Sequence, residues 1–470
     1  MTARTLQDKI DQHRDVPTML RNSTALPYVS HPVVQPEFHN WRDESLAWRQ
    51  SVVLFDQTHH MDALYLRGRD AHRLISETSV TTPTFPVDSA KQYVAVNHQG
   101  FLIGDGIIHR EGEDEFMYVG RSPAANWLLY NSEKGGYDVD VEVDRRSFEY
   151  PLGRGIERKF WRMQIQGPRA WEVIEKINGG PVEQIKFFRE AWIDIAGVRA
   201  RSLRHGMAGA PGLEIWGPYA SYLQVREAIL EAGREFGIVP VGARAYPVSA
   251  VESGWIPSPL PAVYSSEELR GYREWLPADG YEGRLPLAGS FDPGSIEDYY
   301  LTPWDLRYGS FVKFDHDFVG RDALAAHDPE SFRRKVTFEW NAQDVTRILG
   351  SVVDVGGPQY KYLELPLGGY GQSQYDAVLD GAGDLVGLSM LNVALSYNER
   401  KVLSTGVVGR DVPEGAELSL VWGEPNGGTA KLNVEHHEQT RVRVIVSPSP
   451  YSAVVRSDYQ GGWRSSSAVI

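Results

Sequence analysis

Four hundred and seventy residues carry 48 Lys and Arg against 62 Asp and Glu, a net charge of −14 that speaks against generic polyanion binding. Hydrophobic residues make up 42% and charged residues 23%, ordinary for a soluble globular chain with material for two or three domains. There is no cysteine, which excludes disulfides, a Rieske centre, a thiolate-ligated haem and zinc-thiolate chemistry.

No run of 18 apolar residues occurs, and Met1–Lys9 lacks an apolar signal core, so the expectation is a cytoplasmic protein without a membrane or nucleic-acid partner. Leu6, Ile10, Met19 and Leu20 suggest a helix within 5–22. Tyr28 to Trp41, spaced by Pro32 and Pro36, reads as an extended loop. Strands are expected at Ser51–Phe55 and Ala63–Leu66, then a helix near Asp70–Glu77. Tyr93–Val96 and Phe101–His109 read as a hairpin turning at Gly100, followed by a strand at Phe116–Gly120 and a helix at Ser122–Glu133.

Residues 136–160 are polar and read as a crossing between subdomains. A helix then begins at Pro168, with Ala170, Val173, Ile174 and Ile177 on one face, and stops at Gly179-Gly180. Ile193–Ser202 reads as a hairpin at Ala196-Gly197, and Ser221–Phe236 as an amphipathic helix. Residues 256–310 read as long loops of the kind that wall a binding site. From Lys335 the texture changes to short strands (Val336–Trp340, Leu385–Met390, Leu418–Trp422, Arg441–Val446) with no long helix among them, the pattern of a β-barrel.

One stretch stands out: Arg204-His-Gly-Met-Ala-Gly-Ala-Pro-Gly-Leu-Glu-Ile-Trp-Gly-Pro218. Glycines at 206, 209 and 212 permit turns and close backbone approach, and Glu214 follows as though opening a strand. A carboxylate there either accepts paired N–H donors from a flat ligand edge, such as a pterin, or simply closes a glycine-rich turn.

This run resembles the R-x-G-x-x-G-x-x-G-x-E segment of the aminomethyltransferase family, the folate-binding T-protein of glycine cleavage and its relatives. Leu54–Met61, Asn97–Asp105, Gln166–Ala170 and Val312–Leu324 resemble further family segments in the family's order. Within the family the best match is the branch of tetrahydrofolate-dependent O-demethylases acting on methoxybenzoates such as syringate and vanillate. The resemblance implies an α+β fold with a folate-binding catalytic region of two interleaved subdomains (1–330) and a C-terminal β-barrel domain (331–470). It also implies tetrahydrofolate as methyl acceptor, a methoxylated aromatic acid as substrate, no metal and no obligatory protein partner. Syringate is favoured, with vanillate and 3-O-methylgallate behind it. The alternatives are an aminomethyltransferase of a glycine-cleavage system and a non-catalytic folate-binding protein; iron–sulfur assembly relatives of the latter kind carry a cysteine motif that this chain lacks.

The site residues follow from the same resemblance. Glu214, Gln164, Tyr93, Asp105 and Trp255 are expected around the folate. Tyr28, His31, Gln57, His60, Met61, Arg121, Tyr246 and Ser290 are expected around the aromatic substrate. Arg121 stands where glycine-cleavage relatives carry an asparagine; its guanidinium either grips a benzoate carboxylate bidentately or forms an ordinary ion pair. Asp105 retains one acid of a family pair, Gly104 replacing the other, and its role ranges from folate orientation to packing. His59-His60 has no accompanying carboxylate cluster, so a substrate contact fits His60 better than a metal. Tyr246, held extended before Pro247, is expected as the general acid, with His60 and Asp105 as alternates; like Trp255, it is otherwise a core-filling aromatic.

Overall fold

A cap and a break shape the N-terminus. In a computed structural model, which describes residues 3–25, 33–147, 157–183, 185–257 and 259–461, the expected first helix is two. α1 (Leu6–His13) starts at Thr5, whose hydroxyl accepts the Asp8 N–H while Asp8 accepts the Thr5 N–H, a capping box of the kind that contributes about 1 kcal/mol. Arg14 then turns to φ +63, and α2 (Val16–Arg21) restarts on an Asp15 cap. The proline-spaced segment ends in α3 (Trp41–Gln50), capped by Asn40.

β1 (Val52–Asp56), β2 (Asp62–Arg67), α4 (Ala71–Thr78), β3 (Ser89–Val96), β4 (Leu102–Arg110), β5 (Glu115–Gly120) and α5 (Ser122–Lys134) form as expected from their patterns. The polar crossing contains β6 (Asp140–Asp144), which pairs with β2 at the edge of a sheet ordered β3-β4-β5-β2-β6. An edge strand with one solvent face tolerates the polar sequence that hid it.

β7 (Phe160–Gln166), α6 (Ala170–Ile177), β8 (Glu190–Ile195), β9 (Val198–Leu203), β10 (Gly212–Pro218), α7 (Tyr222–Gly233) and β11 (Ile238–Pro240) follow. The β8–β9 turn has Ala196 at φ +51 and Gly197 at +80, the left-handed pair a two-residue hairpin requires. A six-stranded sheet runs β11-β1-β7-β10-β9-β8. The chain therefore lays β1 into this sheet, leaves to build the five-stranded sheet, and returns. Val173 and Ile174 of α6 and Val225 and Ile229 of α7 are fully buried under it, each contributing about 1.5–3 kcal/mol by area.

α8 (Val248–Ser253) precedes the stretch 256–310 expected as long loops, α9 (Arg270–Trp275), α10 (Tyr281–Arg284) and β12 (Leu287–Ala288) punctuate it, and α11 (Arg321–Ala326) follows it. Most of it is core rather than wall: Leu260, Val263, Tyr272 and Tyr299 are buried with Tyr93 and Leu102. β13 (Arg334–Trp340), α12 (Ala342–Ser351), β14 (Leu367–Gly368), β15 (Ser373–Leu379), β16 (Leu385–Ser396), β17 (Lys401–Val408), β18 (Glu417–Trp422), β19 (Thr440–Ser447) and α13 (Ala453–Gly461) complete the chain.

Six of these strands close a barrel in the order β15-β18-β19-β13-β17-β16 and back to β15. Val336, Phe338, Trp422 and Val444 fill it. One helix of ten residues, α12, lies among the strands; it caps on Asn341 and buries Val345 and Ile348. Among the described residues no helix is long and apolar enough to cross a membrane.

Candidate active site

β7 and β10 are antiparallel neighbours, with Gln164 opposite Glu214. Alternation sends Trp161, Met163 and Ile165 to the core and leaves Arg162, Gln164 and Gln166 on the other face. The close pairing depends on Gly212 at φ +154, where a β-carbon would meet the Ile165 carbonyl oxygen at 1.8 Å. Gln164 Nε2 donates to Glu214 Oε2 at 2.8 Å, and Arg162 Nη1 donates to Glu214 Oε1. Gln164 Oε1 accepts from Gln166 Nε2 and, at 3.2 Å, from the Met207 N–H. Burial works to raise the Glu214 carboxyl, but Arg162, with His205 and His109, outweighs it and holds the group below its ordinary value. The result is a buried, ionised acceptor at a cavity wall.

The facing wall comes from β4 and β5. Asp105 Oδ2 accepts from Gln92 Nε2 at 2.7 Å and from the Tyr308 hydroxyl at 2.9 Å. Burial pushes its carboxyl up to about 6, against those hydrogen bonds and the charges of Arg121 and Lys335. Arg121 follows β5 at the N-cap of α5, its carbonyl accepting from the Tyr118 hydroxyl at 3.1 Å. Lys335 arrives from β13; desolvation and Arg307 pull its amine down to about 8.

Behind the end of β1 lies a third group. Gln57 Nε2 donates to the Tyr246 hydroxyl oxygen at 2.8 Å, and His60 Nε2 is 3.3 Å from that oxygen. Tyr246 packs edge-on against Phe55, ring centroids 5.3 Å apart. Met207 Sδ stands 3.0 Å from the hydroxyl.

These groups surround a cavity of about 590 Å³, a size suited to an organic ligand. Met61, Asp105, Arg121, Gln164, Glu214 and Trp255 line it directly. Tyr246, His60 and Gln57 are buried one layer behind Met207. Tyr93 does not reach it: its hydroxyl donates into Thr78 within the core, and its ring meets Tyr118. Ser290 is likewise elsewhere, its hydroxyl donating to the Val421 carbonyl at the barrel junction. Tyr28 and His31 lie outside the described residues. Among the described residues no group of three or more His, Asp or Glu side chains forms a metal site.

Sequence reading missed Arg162, Gln92, Met207, Tyr308 and Lys335. Arg162 was accessible, being two residues from Gln164 on one strand face; Met207 sat inside the quoted glycine run. Tyr308 and Lys335 carry no local signal.

A family model for the GCVT N-terminal domain matches residues 23–258. The chain belongs to this family. Over 468 residues it is 40% identical to a syringate O-demethylase from Sphingobium sp., covering 99% of this chain and all of that one. It is 29% identical over 433 residues to a sesamin methylene transferase from Sinomonas sp., covering 88% and 89%. The GCVT fold extends through the barrel: the glycine cleavage aminomethyltransferase T of Bartonella henselae superposes with a TM-score of 0.60 at 16% identity, covering 92% of this chain and 95% of that one. The Glu214 cradle and the Tyr246 cluster both fall within the GCVT segment, whereas Tyr308 and Lys335 lie beyond it.

Proposed function

We propose that this GCVT-family protein is a tetrahydrofolate-dependent O-demethylase. It moves the methoxy methyl of an aromatic acid, syringate first and vanillate or 3-O-methylgallate after it, to N5 of tetrahydrofolate, giving a phenol and 5-methyltetrahydrofolate. The observation that carries the reading is one cavity lined by a buried ionised Glu214 and a guanidinium at Arg121, with the phenol of Tyr246 one layer behind its Met207 wall. The full-length likeness to a syringate O-demethylase supports it.

The cavity residues fit a folate. Glu214, backed by Gln164, offers two carboxylate oxygens to paired N–H donors, and Trp255 offers an aromatic face worth about 0.5–1.5 kcal/mol in stacking. When bound, the folate supplies the nucleophilic nitrogen that takes the methyl group.

The protein's own work is positioning and proton supply. Arg121 holds the benzoate carboxylate and so fixes the ring. An aryl ether leaves poorly unless its oxygen is protonated, and Tyr246, itself a phenol, matches the group being formed; such acid catalysis contributes roughly 10²–10⁴-fold. Gln57 orients the Tyr246 hydroxyl, and His60, within reach of the same oxygen, returns its proton. Asp105, on the opposite wall with Gln92 and Tyr308, orients the folate. Holding the reacting atoms in line supplies the remaining acceleration.

The test is incubation of purified protein with a panel of methoxybenzoates, with and without tetrahydrofolate. Phenol formation only when both are present supports the reading; phenol formation without folate contradicts it.

A further inference from the structure

Met207 has no part in the chemistry above, yet it touches both halves of it. Its side chain lines the cavity and is 8% exposed. Its sulfur accepts from the Tyr246 hydroxyl at 3.0 Å and from Gln57 Nε2 at 2.8 Å. Its own N–H donates to Gln164 Oε1, and Gln164 in turn donates to Glu214. One residue therefore connects the carboxylate that faces the folate to the phenol that faces the ether.

The position of the sulfur is what matters. Gln57 donates to the Tyr246 oxygen, so the phenol's single proton goes to one of two acceptors, His60 Nε2 at 3.3 Å or Met207 Sδ at 3.0 Å, and Met207 is the one that lines the cavity. A thioether is a weak acceptor; it occupies the place without competing for the proton. An ether oxygen receiving that proton must lie within about 2.6–3.2 Å of the hydroxyl, where the sulfur now stands. The methionine side chain is unbranched with three soft torsions, so moving it aside costs little.

We propose that Met207 is a positioning residue that couples folate recognition to proton donation. It plugs the ether-oxygen position until Gln164 and Glu214 turn to a folate edge, release the Met207 N–H, and let the sulfur swing away from Tyr246. The inference rests on the demethylase reading and adds an order to it: the aromatic ether docks productively only after the folate.

Calorimetric titration of syringate, with and without saturating folic acid, tests this. Folic acid keeps the pterin recognition edge but cannot take the methyl group. In the native protein folic acid should tighten syringate binding by about fivefold or more, the lower end of measured couplings. Met207→Ala removes the plug, so syringate binds tightly from the start and the coupling falls to within about twofold, with folic acid affinity retained. Met207→Leu keeps the volume and should restore the coupling.

A second measurement needs no alanine variant. With ¹³C-methyl methionine, the Met207 resonance, identified among seven methionines by its loss in Met207→Leu, should shift on addition of folic acid. Equal coupling in native protein and Met207→Ala, or an unmoved Met207 resonance in protein that binds folic acid, overturns the inference alone. Failure of folic acid to bind at all overturns the demethylase reading and this inference with it.

Discussion

Gln57, just past the end of β1, presents its side-chain N–H at 2.8 Å to the hydroxyl oxygen of Tyr246, two residues before α8. With Gln57 on its oxygen, the phenol keeps its own proton for an acceptor, Met207 Sδ at 3.0 Å among them, which is the arrangement the proposed acid role requires. Tyr246→Phe should therefore fold normally and keep its folate affinity while kcat falls by roughly 10² or more. A methyl ether with strongly electron-withdrawing ring substituents, whose leaving group needs no proton, should lose much less rate in this variant. Equal losses on both substrates would make Tyr246 a ring-positioning residue.

Glu214 is tied to Arg162 in a buried ion pair, which changes what its removal does. Glu214→Ala leaves the guanidinium buried without its partner and should cost about 3–5 kcal/mol of stability. Glu214→Gln is milder on the fold but cannot accept both donors of a pterin edge, and folate affinity should fall roughly 5- to 150-fold, matching about 1–3 kcal/mol. The Arg162→Met, Glu214→Leu double variant should recover stability without recovering folate binding, as followed by urea unfolding and by folate titration. Native folate affinity in the double variant would remove this pair from the site.

Asp105 gives a pH dependence with a definite sign. Burial raises its carboxyl from the usual 3.8 to about 6, so between those values the folded chain holds a proton that the unfolded chain has lost. Its contribution to stability is fully present below about pH 4 and is lost as the pH rises through 6. Asp105→Asn keeps a neutral group throughout. It should match the native protein below pH 4 and exceed it by about 2–3 kcal/mol at pH 7, measured by urea unfolding across that range. A variant less stable than native at pH 7 would mean that Tyr308 and Gln92 hold the ionised form.

Arg121→Lys keeps the charge and loses the fork, so KM for syringate and vanillate should rise while guaiacol, which has no carboxylate, changes little. If the variant separates vanillate from guaiacol as well as the native enzyme does, the carboxylate is held elsewhere. Lys335 is then the place to look, since it lines the same cavity.

Where burial imposed a pattern, the sequence was readable. The continuous apolar run Tyr93–Val96 ahead of the turn at Gly100 and the three-to-four spacing of Ala170, Val173 and Ile174 each led to the right element. α3 was not readable, because its sequence from Trp41 to Gln50 is mostly polar, and the helix buries Glu44, whose carboxylate accepts the Phe38, His39 and Gly242 N–H groups. Within the site, Glu214 and Gln164 face each other because adjacent strands hold them in register, and a motif on one strand carries that information. Tyr308 and Lys335 come from segments joined only by packing, and nothing near them in the chain marks them. Tyr93 illustrates the converse: with 23 tyrosines in the chain, residue type does not separate a ligand contact from a core hydroxyl satisfied by Thr78.

Transfer of an intact methyl group from an aryl ether to folate can be followed directly by isotope. Syringate carrying ¹³C in its methoxy groups, incubated anaerobically with the protein and tetrahydrofolate, should give 5-methyltetrahydrofolate with ¹³C in its methyl group, in a one-to-one ratio with the phenol formed. Label recovered in methanol or formaldehyde, or phenol formed at the same rate without tetrahydrofolate, would contradict it.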